Sequence, residues 1–352
     1  MSTTSTNPIG FAIIGSGMIS QFHADAIQQV EGAKLRAVYQ RTPERAQAFA
    51  EKNGCRVATS LEALVQDPEI QIACITTPSG AHAEAAVPFL EAGKAVLCEK
   101  PLDVTSDAIE RIVAAEKRGG GVLAGVFQNR LGRGAQALKA AIDAGRFGRI
   151  TLCSAYIKWW RDQNYYSSSP WKGTWKLDGG GALMNQGIHA VDLLQWLAGL
   201  PEQVTAFTGT LAHTMETEDT IVASLKFPNG ALGVIEAATS AWPGSDLRIE
   251  IAGDKGFATL TKDTITRWEF SEARPEDEQI RSASDSGAIG GGAADPKAIS
   301  TEGHRRLIED LVGALREGRA PMIPGAEAGK SVSLVLAIYE SARKGQPVRV
   351  VS

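Results

Sequence analysis

Cysteine is scarce in this chain: Cys55, Cys74, Cys98 and Cys153 are spread over 352 positions with no C-x-x-C pair. That spacing builds neither a disulfide framework nor a zinc centre, and no cluster of histidine and cysteine suggests a metal. Charge of one sign is lacking too. A net charge of -4 leaves no basic excess to hold a phosphate backbone, which argues against nucleic acid as a partner. No apolar run approaches membrane-spanning length, and the opening "MSTTSTNPIG" has no basic stretch followed by an apolar one. No membrane association and a cytoplasmic location are therefore expected.

What is present is an ordinary globular balance. Hydrophobic residues make up 43% and charged residues 22%, and the length suffices for two domains, each with its own core. From residue 9 to 126, short apolar runs ("FAII" 11–14, "LRAVY" 35–39, "QIACIT" 71–76, "AVLC" 95–98, "GVLAGVF" 121–127) alternate with amphipathic segments such as "TPERAQAFAEK" and "GAHAEAAVPFLEAG". The alternation predicts an α/β, doubly wound domain with a parallel sheet covered on both faces by helices.

Directly after the first run comes "GSGMIS", residues 15–20, followed by a helical pattern. In that context Gly15 permits a tight turn, Gly17 lets backbone approach a pyrophosphate, and the helix N-terminus favours its charge. Ser20 stands where a third glycine is usual and is small enough for close packing. The second run ends in Gln40 and Arg41, where an acid would read a ribose 2'-hydroxyl. An amide does not repel a 2'-phosphate and a guanidinium can pair with it, so the pattern leans toward NADP with NAD open.

The stretch "DGGGALMNQGIHAVDLLQWL", 178–197, carries Asn185, His189 and Asp192 on an apolar, helix-like run. Spacings of four and three put them on one helical face, either as a satisfied core histidine or as a site. Gly187 inside the run costs helix stability and signals close approach or function. After the run at 95–98 comes "CEKPLD", where Pro101 forces Lys100 out of the α region and permits a cis bond.

Taken together and in order, "AIIGSGMIS", "TTPSGAHAEAA", "EKPLD", "DGGGALMNQGIHAVDLLQWL" and "GHRRLIEDLVGALREGRAPMIPG" resemble the Gfo/Idh/MocA family of sugar and cyclitol oxidoreductases. The resemblance implies a Rossmann domain over 1–128 and, over 129–352, an α+β domain with a large open, predominantly antiparallel sheet. One sheet face would serve substrate and the other a homodimer or homotetramer. Strand-like runs at "ITLCSAYIKWW", "QVTAFTGTLA", "TIVASLKF", "ALGVIEAAT", "LRIEIAG" and "FATLTKD" independently support that sheet. By the same resemblance Lys100 and His189 form a catalytic pair, with Asn185, where many relatives carry Asp, as third member. Removing a hydride from a carbinol carbon requires that its hydroxyl proton leave; histidine, with an ordinary pKa near ~6.5, suits that task. Cofactor contacts are implied at Gly15, Gly17, Met18, Ile19, Gln40, Arg41, Thr77, Pro78, His82, Glu99, Lys100 and Pro101.

The segment 158–178 sets Trp159, Trp160, Tyr165, Tyr166, Trp171 and Trp175 among Lys158, Arg161 and Lys172, a mixture that suits a sugar ring bearing an anionic group or else a packed connection. Lys158, Arg161 and Tyr165 are the substrate-binding candidates here, with Lys100, Arg130, Asn185 and His189 elsewhere. Arg130 meets either substrate or a salt bridge; His82 either lines the cofactor crevice or packs its helix; His304 either reaches the sugar or is exposed. Residues 271–300, rich in Gly, Ala and Ser, read as a long loop, either a lid or a surface insertion. The function expected is NAD(P)-dependent hydride transfer at a hydroxyl or keto carbon of a sugar, sugar acid, nucleotide sugar or cyclitol. The alternatives are an NAD-dependent glycosidase of the same fold and a cofactor-binding regulator without turnover.

Overall fold

The structure, a computed structural model, describes residues 7–283 and 300–351. Most of the loop expected over 271–300, residues 284–299, lies outside them. Two compact units are formed, one from Met1–Val126 with Thr301–Ala328 and one from Phe127–Ser300 with Gly329–Ser352.

In the first unit, strands β1 (Ile9–Ile14), β2 (Ala33–Tyr39), β3 (Arg56–Val57), β4 (Ile72–Ile75), β5 (Ala95–Cys98) and β6 (Val122–Gly125) form one sheet in the order β3-β2-β1-β4-β5-β6. Every pairing is parallel. Every residue of β4 and β5 is buried, which is why these strands read as continuous apolar runs rather than alternating ones. Helices α1 (Met18–Gln29), α2 (Pro43–Asn53), α3 (Leu61–Gln66), α4 (His82–Glu91) and α5 (Ser106–Gly119) make the crossovers. Strand order reverses between β1 and β4, so the crevice where such sheets take ligands opens at the carboxyl ends of these two strands.

The second unit has helices α6 (Arg133–Asp143), α7 (Gln163–Ser167), α8 (Ile188–Ala198) and α9 (Glu276–Ser282). Its sheet joins β7 (Ile150–Lys158), β8 (Gln203–Gly209), β9 (Thr220–Lys226), β10 (Leu232–Ala238), β11 (Arg248–Gly253), β12 (Gly256–Thr261), β13 (Thr264–Phe270) and β14 (Val348–Arg349) in the order β13-β12-β11-β7-β10-β9-β8-β14. Only β7 and β10 pair parallel; all other neighbours are antiparallel. Alternation sorts the two faces. Cys153, Ala155 and Ile157 of β7 are buried on the side where α8 packs, while Leu152, Ser154, Tyr156 and Lys158 point the other way.

Part of the expected loop is ordered instead as α9. Asp277 anchors it by accepting from Trp268 Nε1 at 2.7 Å and from Arg146 Nη1 and Nη2 at 2.5 and 2.8 Å, partners that lie 9 and 131 residues away in sequence and are invisible to local composition. The tail then divides. Helix α10 (Glu302–Glu317) packs on α1 in the first unit, and the chain crosses to the second unit within α11 (Gly325–Lys344). No helix of the described residues is long and apolar enough to cross a membrane.

Candidate cofactor and substrate sites

At the head of α1 the backbone takes the shape the glycines predict. Gly15 has φ +121°, and a Cβ there would lie 2.6 Å from Thr76 Oγ1 and 2.7 Å from Thr76 O. A side chain at Gly15 is therefore excluded both by conformation and by space. Gly17 is the opposite case: it is exposed, and a Cβ built on it meets nothing within 4 Å. No side chain caps α1 and no acid stands in its first turn, so nothing from its own helix competes for the positive end. Met18 is exposed and Ile19 half-buried beside it. Ser20 packs in the third glycine's place, its hydroxyl 2.8 Å from Thr76 Oγ1, which in turn donates to Ile14 O at 2.9 Å. One side of the turn is thus locked to β4 and the other is open, a cradle that fits a dinucleotide pyrophosphate.

Gln40 reaches back to the same turn, its Nε2 donating to Ser16 Oγ at 3.3 Å while its Oε1 accepts from Arg41 N at 2.7 Å. Thr77 and Pro78 follow β4 and are half-buried. His82 does not present its ring to solvent: it is 1% exposed, with Nδ1 2.8 Å from Pro101 O and Nε2 3.0 Å from Thr77 O. It ties the segment after β4 to the segment after β5. The Lys100–Pro101 peptide is cis. Glu99 is turned inward, its Oε1 accepting from His23 and His304 and its Oε2 from the Lys100 amide. His304 is therefore neither exposed nor turned outward toward a ligand.

In the second unit the residues from 178 to 198 are not one α-helix. Ala182–Gly187 forms a π-helical turn that leads into α8, so the spacing of Asn185, His189 and Asp192 does not follow a single 3.6-residue period. The glycines before it are sites of close packing. A Cβ on Gly180 would sit 2.1 Å from Tyr339 Oη, and one on Gly181 1.8 Å from Glu218 O. Glu218 acts as the cap of the turn, accepting from Gly181 N at 3.0 Å and Leu183 N at 2.9 Å, and Tyr339 Oη donates to it at 2.8 Å. Burial pushes the Glu218 carboxyl up to about 7, against the pull of these hydrogen bonds. At Gly187 the tight neighbours belong to the turn itself: a Cβ there would lie 3.0 Å from Ala182 O and 3.3 Å from Leu183 Cδ1.

Each of the three polar residues of that run makes a contact of its own. Asn185 Nδ2 donates to Asp178 Oδ1, and Asp178 Oδ2 also accepts from Gly173 N at 2.8 Å. His189 is half-buried, edge-on to Phe127 with ring centroids 5.9 Å apart. Asp192 is buried and takes a bidentate pair from Arg130, both contacts at 2.7 Å. Arg130 thus makes the salt bridge that was one of its two readings, with its guanidinium 5.6 Å from the Trp196 ring centroid.

Of the aromatic segment, Arg161 and Tyr165 come together and Lys158 does not join them. Arg161 lies over the rings of Trp159 and Tyr165, Lys172 Nζ stands 3.8 Å from the Tyr165 ring centroid, and Gln186 Nε2 donates to Tyr165 Oη at 3.1 Å. Burial pushes the Tyr165 phenol up to about 12 and lowers Lys172. Lys158 belongs to the sheet face turned away from α8, where its Nζ pairs with Glu236 at 2.8 Å. The strand alternation of β7 decides this, since Lys158 has the parity of Leu152 rather than of Ile157. Lys172, named from sequence among the cations of the segment, joins the cluster, and Asp178 and Gln186 join it without having been singled out; an acid heading a run of three glycines was the available signal.

Residues 9–126 match the family described as "Oxidoreductase family, NAD-binding Rossmann fold", and residues 135–259 match the "GFO/IDH/MocA C-terminal domain". The chain belongs to the GFO/IDH/MocA family of NAD-binding oxidoreductases. It is 32% identical over 280 residues to inositol 2-dehydrogenase 2 of Saccharopolyspora erythraea, covering 76% of this chain and 78% of that one. It is similar to the WlbA dehydrogenase from Bordetella pertussis, solved in complex with NADH and UDP-GlcNAcA: TM-score 0.89, 35% identity, 99% of each chain covered. The WlbA dehydrogenase of Chromobacterium violaceum, solved with the same two ligands, gives a TM-score of 0.88 at 34% identity, with 99% and 97% covered.

Proposed function

We propose that this oxidoreductase uses NAD(H) to interconvert a hydroxyl and a keto carbon on a nucleotide-linked sugar acid. The observation that carries the reading is the half-open glycine turn at the head of α1, locked to Thr76 at Gly15 and unobstructed at Gly17. Gly15, Gly17, Met18 and Ile19 would hold the pyrophosphate, and Gln40 and Arg41 the adenosine ribose. Thr77, Pro78, Lys100 and Pro101 stand at the strand ends that follow. When bound, the nicotinamide supplies a hydride acceptor or donor. His189 takes or returns the proton of the substrate hydroxyl, and Lys100 stabilises negative charge on the substrate oxygen. Asn185, held by Asp178, orients a substrate hydroxyl. Arg161 and Lys172, beside Tyr165, supply cations suited to a carboxylate or phosphate.

The two WlbA dehydrogenases support a nucleotide-linked sugar acid as substrate, and the inositol dehydrogenase supports a cyclitol as the second reading. NADH in both solved relatives supports NAD(H), although Gln40 leaves a 2'-phosphate unrepelled. The test is calorimetric titration with NAD(H) and NADP(H), then NADH absorbance during incubation with UDP-linked uronic acids and with myo-inositol. His189→Ala and Lys100→Ala should each lower turnover about 100-fold or more with dinucleotide affinity nearly intact. Full activity in His189→Ala, or absence of dinucleotide binding at millimolar concentration in the unaltered protein, would sink the reading. Cleavage of a glycoside without net NADH formation would replace it with the glycosidase. We further infer a homodimer or homotetramer assembled through the open sheet face.

A further inference from the structure

Three buried side chains from distant parts of the sequence meet inside the first unit. His23 on α1 and His304 on α10 place their Nε2 atoms 3.0 and 3.1 Å from the same oxygen of Glu99, at the end of β5. Their rings meet edge-on with centroids 4.9 Å apart, and the side chains are 0%, 1% and 7% exposed. The second oxygen of Glu99 accepts the backbone amide of Lys100 at 3.1 Å. Burial raises the Glu99 carboxyl, yet hydrogen bonds from the two imidazoles outweigh it and hold it well below the usual carboxylate range. Burial pushes His23 below its ordinary value. Burial raises the thiols of Cys74 on β4 and Cys98 on β5, so they remain uncharged beside Glu99.

Two imidazoles and a carboxylate, with donor atoms within 4.8 Å of one another, also compose a possible metal set. The second ring nitrogens decide against it. Metal-bound histidines almost always donate their other N–H to an acceptor. Here Nδ1 of His23 and Nδ1 of His304 are both buried with no hydrogen-bond partner. A metal on the two Nε2 atoms would force both protons onto nitrogens that have nowhere to place them. With the proton on Nε2, each ring instead donates to Glu99.

We propose that His23 and His304 are positioning residues for Lys100: their two hydrogen bonds fix the Glu99 carboxylate so that its other oxygen holds the Lys100 backbone. The arrangement joins the helix that begins at the cofactor turn, the strand end that carries Lys100, and a helix more than 200 residues away in the chain. A carboxylate held from both sides by buried donors cannot swing, and the amide it binds is fixed with it. The inference rests on the proposed role of Lys100 for its catalytic consequence but not for its geometry.

The test separates those two parts. Amide hydrogen exchange at Lys100 is followed by NMR in the full chain, in His304→Leu, which removes the donor, and in His304→Gln, which keeps an N–H donor. Exchange at Lys100 should rise about tenfold or more in His304→Leu, return most of the way in His304→Gln, and stay unchanged at buried amides of the second sheet. A rise spread evenly over the whole chain, or no rise at Lys100, overturns the proposal. So does zinc chloride binding at one equivalent with loss of the Nε2–H imidazole signals. Turnover with the UDP-linked uronic acids should fall in parallel, with KM and NADH affinity little changed. Freed Lys100 exchange with unchanged turnover leaves the clamp standing and counts against the catalytic role of Lys100.

Discussion

At the scale of single residues, the difference between a polar group that acts and one that supports lies in its partner. Arg130 and Asp192, 4% and 1% exposed, form a bidentate buried pair. Arg130→Ala or Asp192→Asn leaves a charge without its counterion and should cost about 3–5 kcal/mol, visible as a lower melting temperature with dinucleotide affinity unchanged. A loss of NADH affinity without a loss of stability would return Arg130 to the list of ligand-binding groups. The sequence showed both residues but not their pairing, because they lie 62 positions apart. Asn185 gives a sharper test, since its Nδ2 donates to the buried Asp178. Asn185→Asp sets a second carboxyl against the first, which raises the affinity of the pair for one proton. The folded state then binds a proton that the unfolded state releases above about pH 4, so the variant should lose stability relative to the unaltered protein as pH rises from 5 to 8. A difference that stays constant or shrinks over that range removes Asp178 as the partner of Asn185.

At the scale of elements, the run 178–197 was legible as apolar, helical and interrupted by glycine, and its local hydrophobicity carried that much. The π-helical turn was not legible, because the groups that stabilise it, Glu218 and Tyr339, come from more than thirty and more than a hundred residues away. Glu218 makes this element pH-sensitive. Its carboxyl is raised from the ordinary 4.5 to about 7, so between those values the folded state holds a proton that the unfolded state has lost. Stability from this group is fully present below about pH 4.5 and lost as pH rises toward 7, by on the order of 3 kcal/mol. Glu218→Gln, which keeps the acceptor oxygen but cannot ionise, should remove that slope. The measurement is urea unfolding of both proteins at intervals from pH 5 to 7.5. Parallel curves would show that Glu218 ionises normally in the folded protein and that burial does not dominate there.

At the scale of the whole molecule, the β-α alternation of residues 9–126 and the strand runs of the second half made both sheets legible, because each strand's pattern records which of its faces is buried. Less was visible where pairing is short or partners are remote: β3 and β14 are two residues each, and α10 rejoins the first unit after the intervening second one. The same alternation leaves the outer face of the second sheet apolar in part. Phe207 lies opposite Val222, and Leu152 opposite Leu232, at 78%, 46%, 52% and 54% exposure. The proposed association through this sheet face would bury these exposed cross-strand apolar pairs, with the Lys158–Glu236 and Arg248–Glu250 ion pairs as its charged neighbours. If two chains associate through this face, Phe207→Asp combined with Leu232→Asp buries unpaired carboxylates at the contact and should convert the assembly to monomers. Sedimentation velocity at micromolar concentration reads the change, and circular dichroism confirms that the sheet persists, since both side chains already face outward. Lys158→Glu, which sets two carboxylates side by side with Glu236, should weaken association less and in a salt-dependent way. An oligomer that survives the double substitution with an unaltered sedimentation coefficient must be assembled through a different surface.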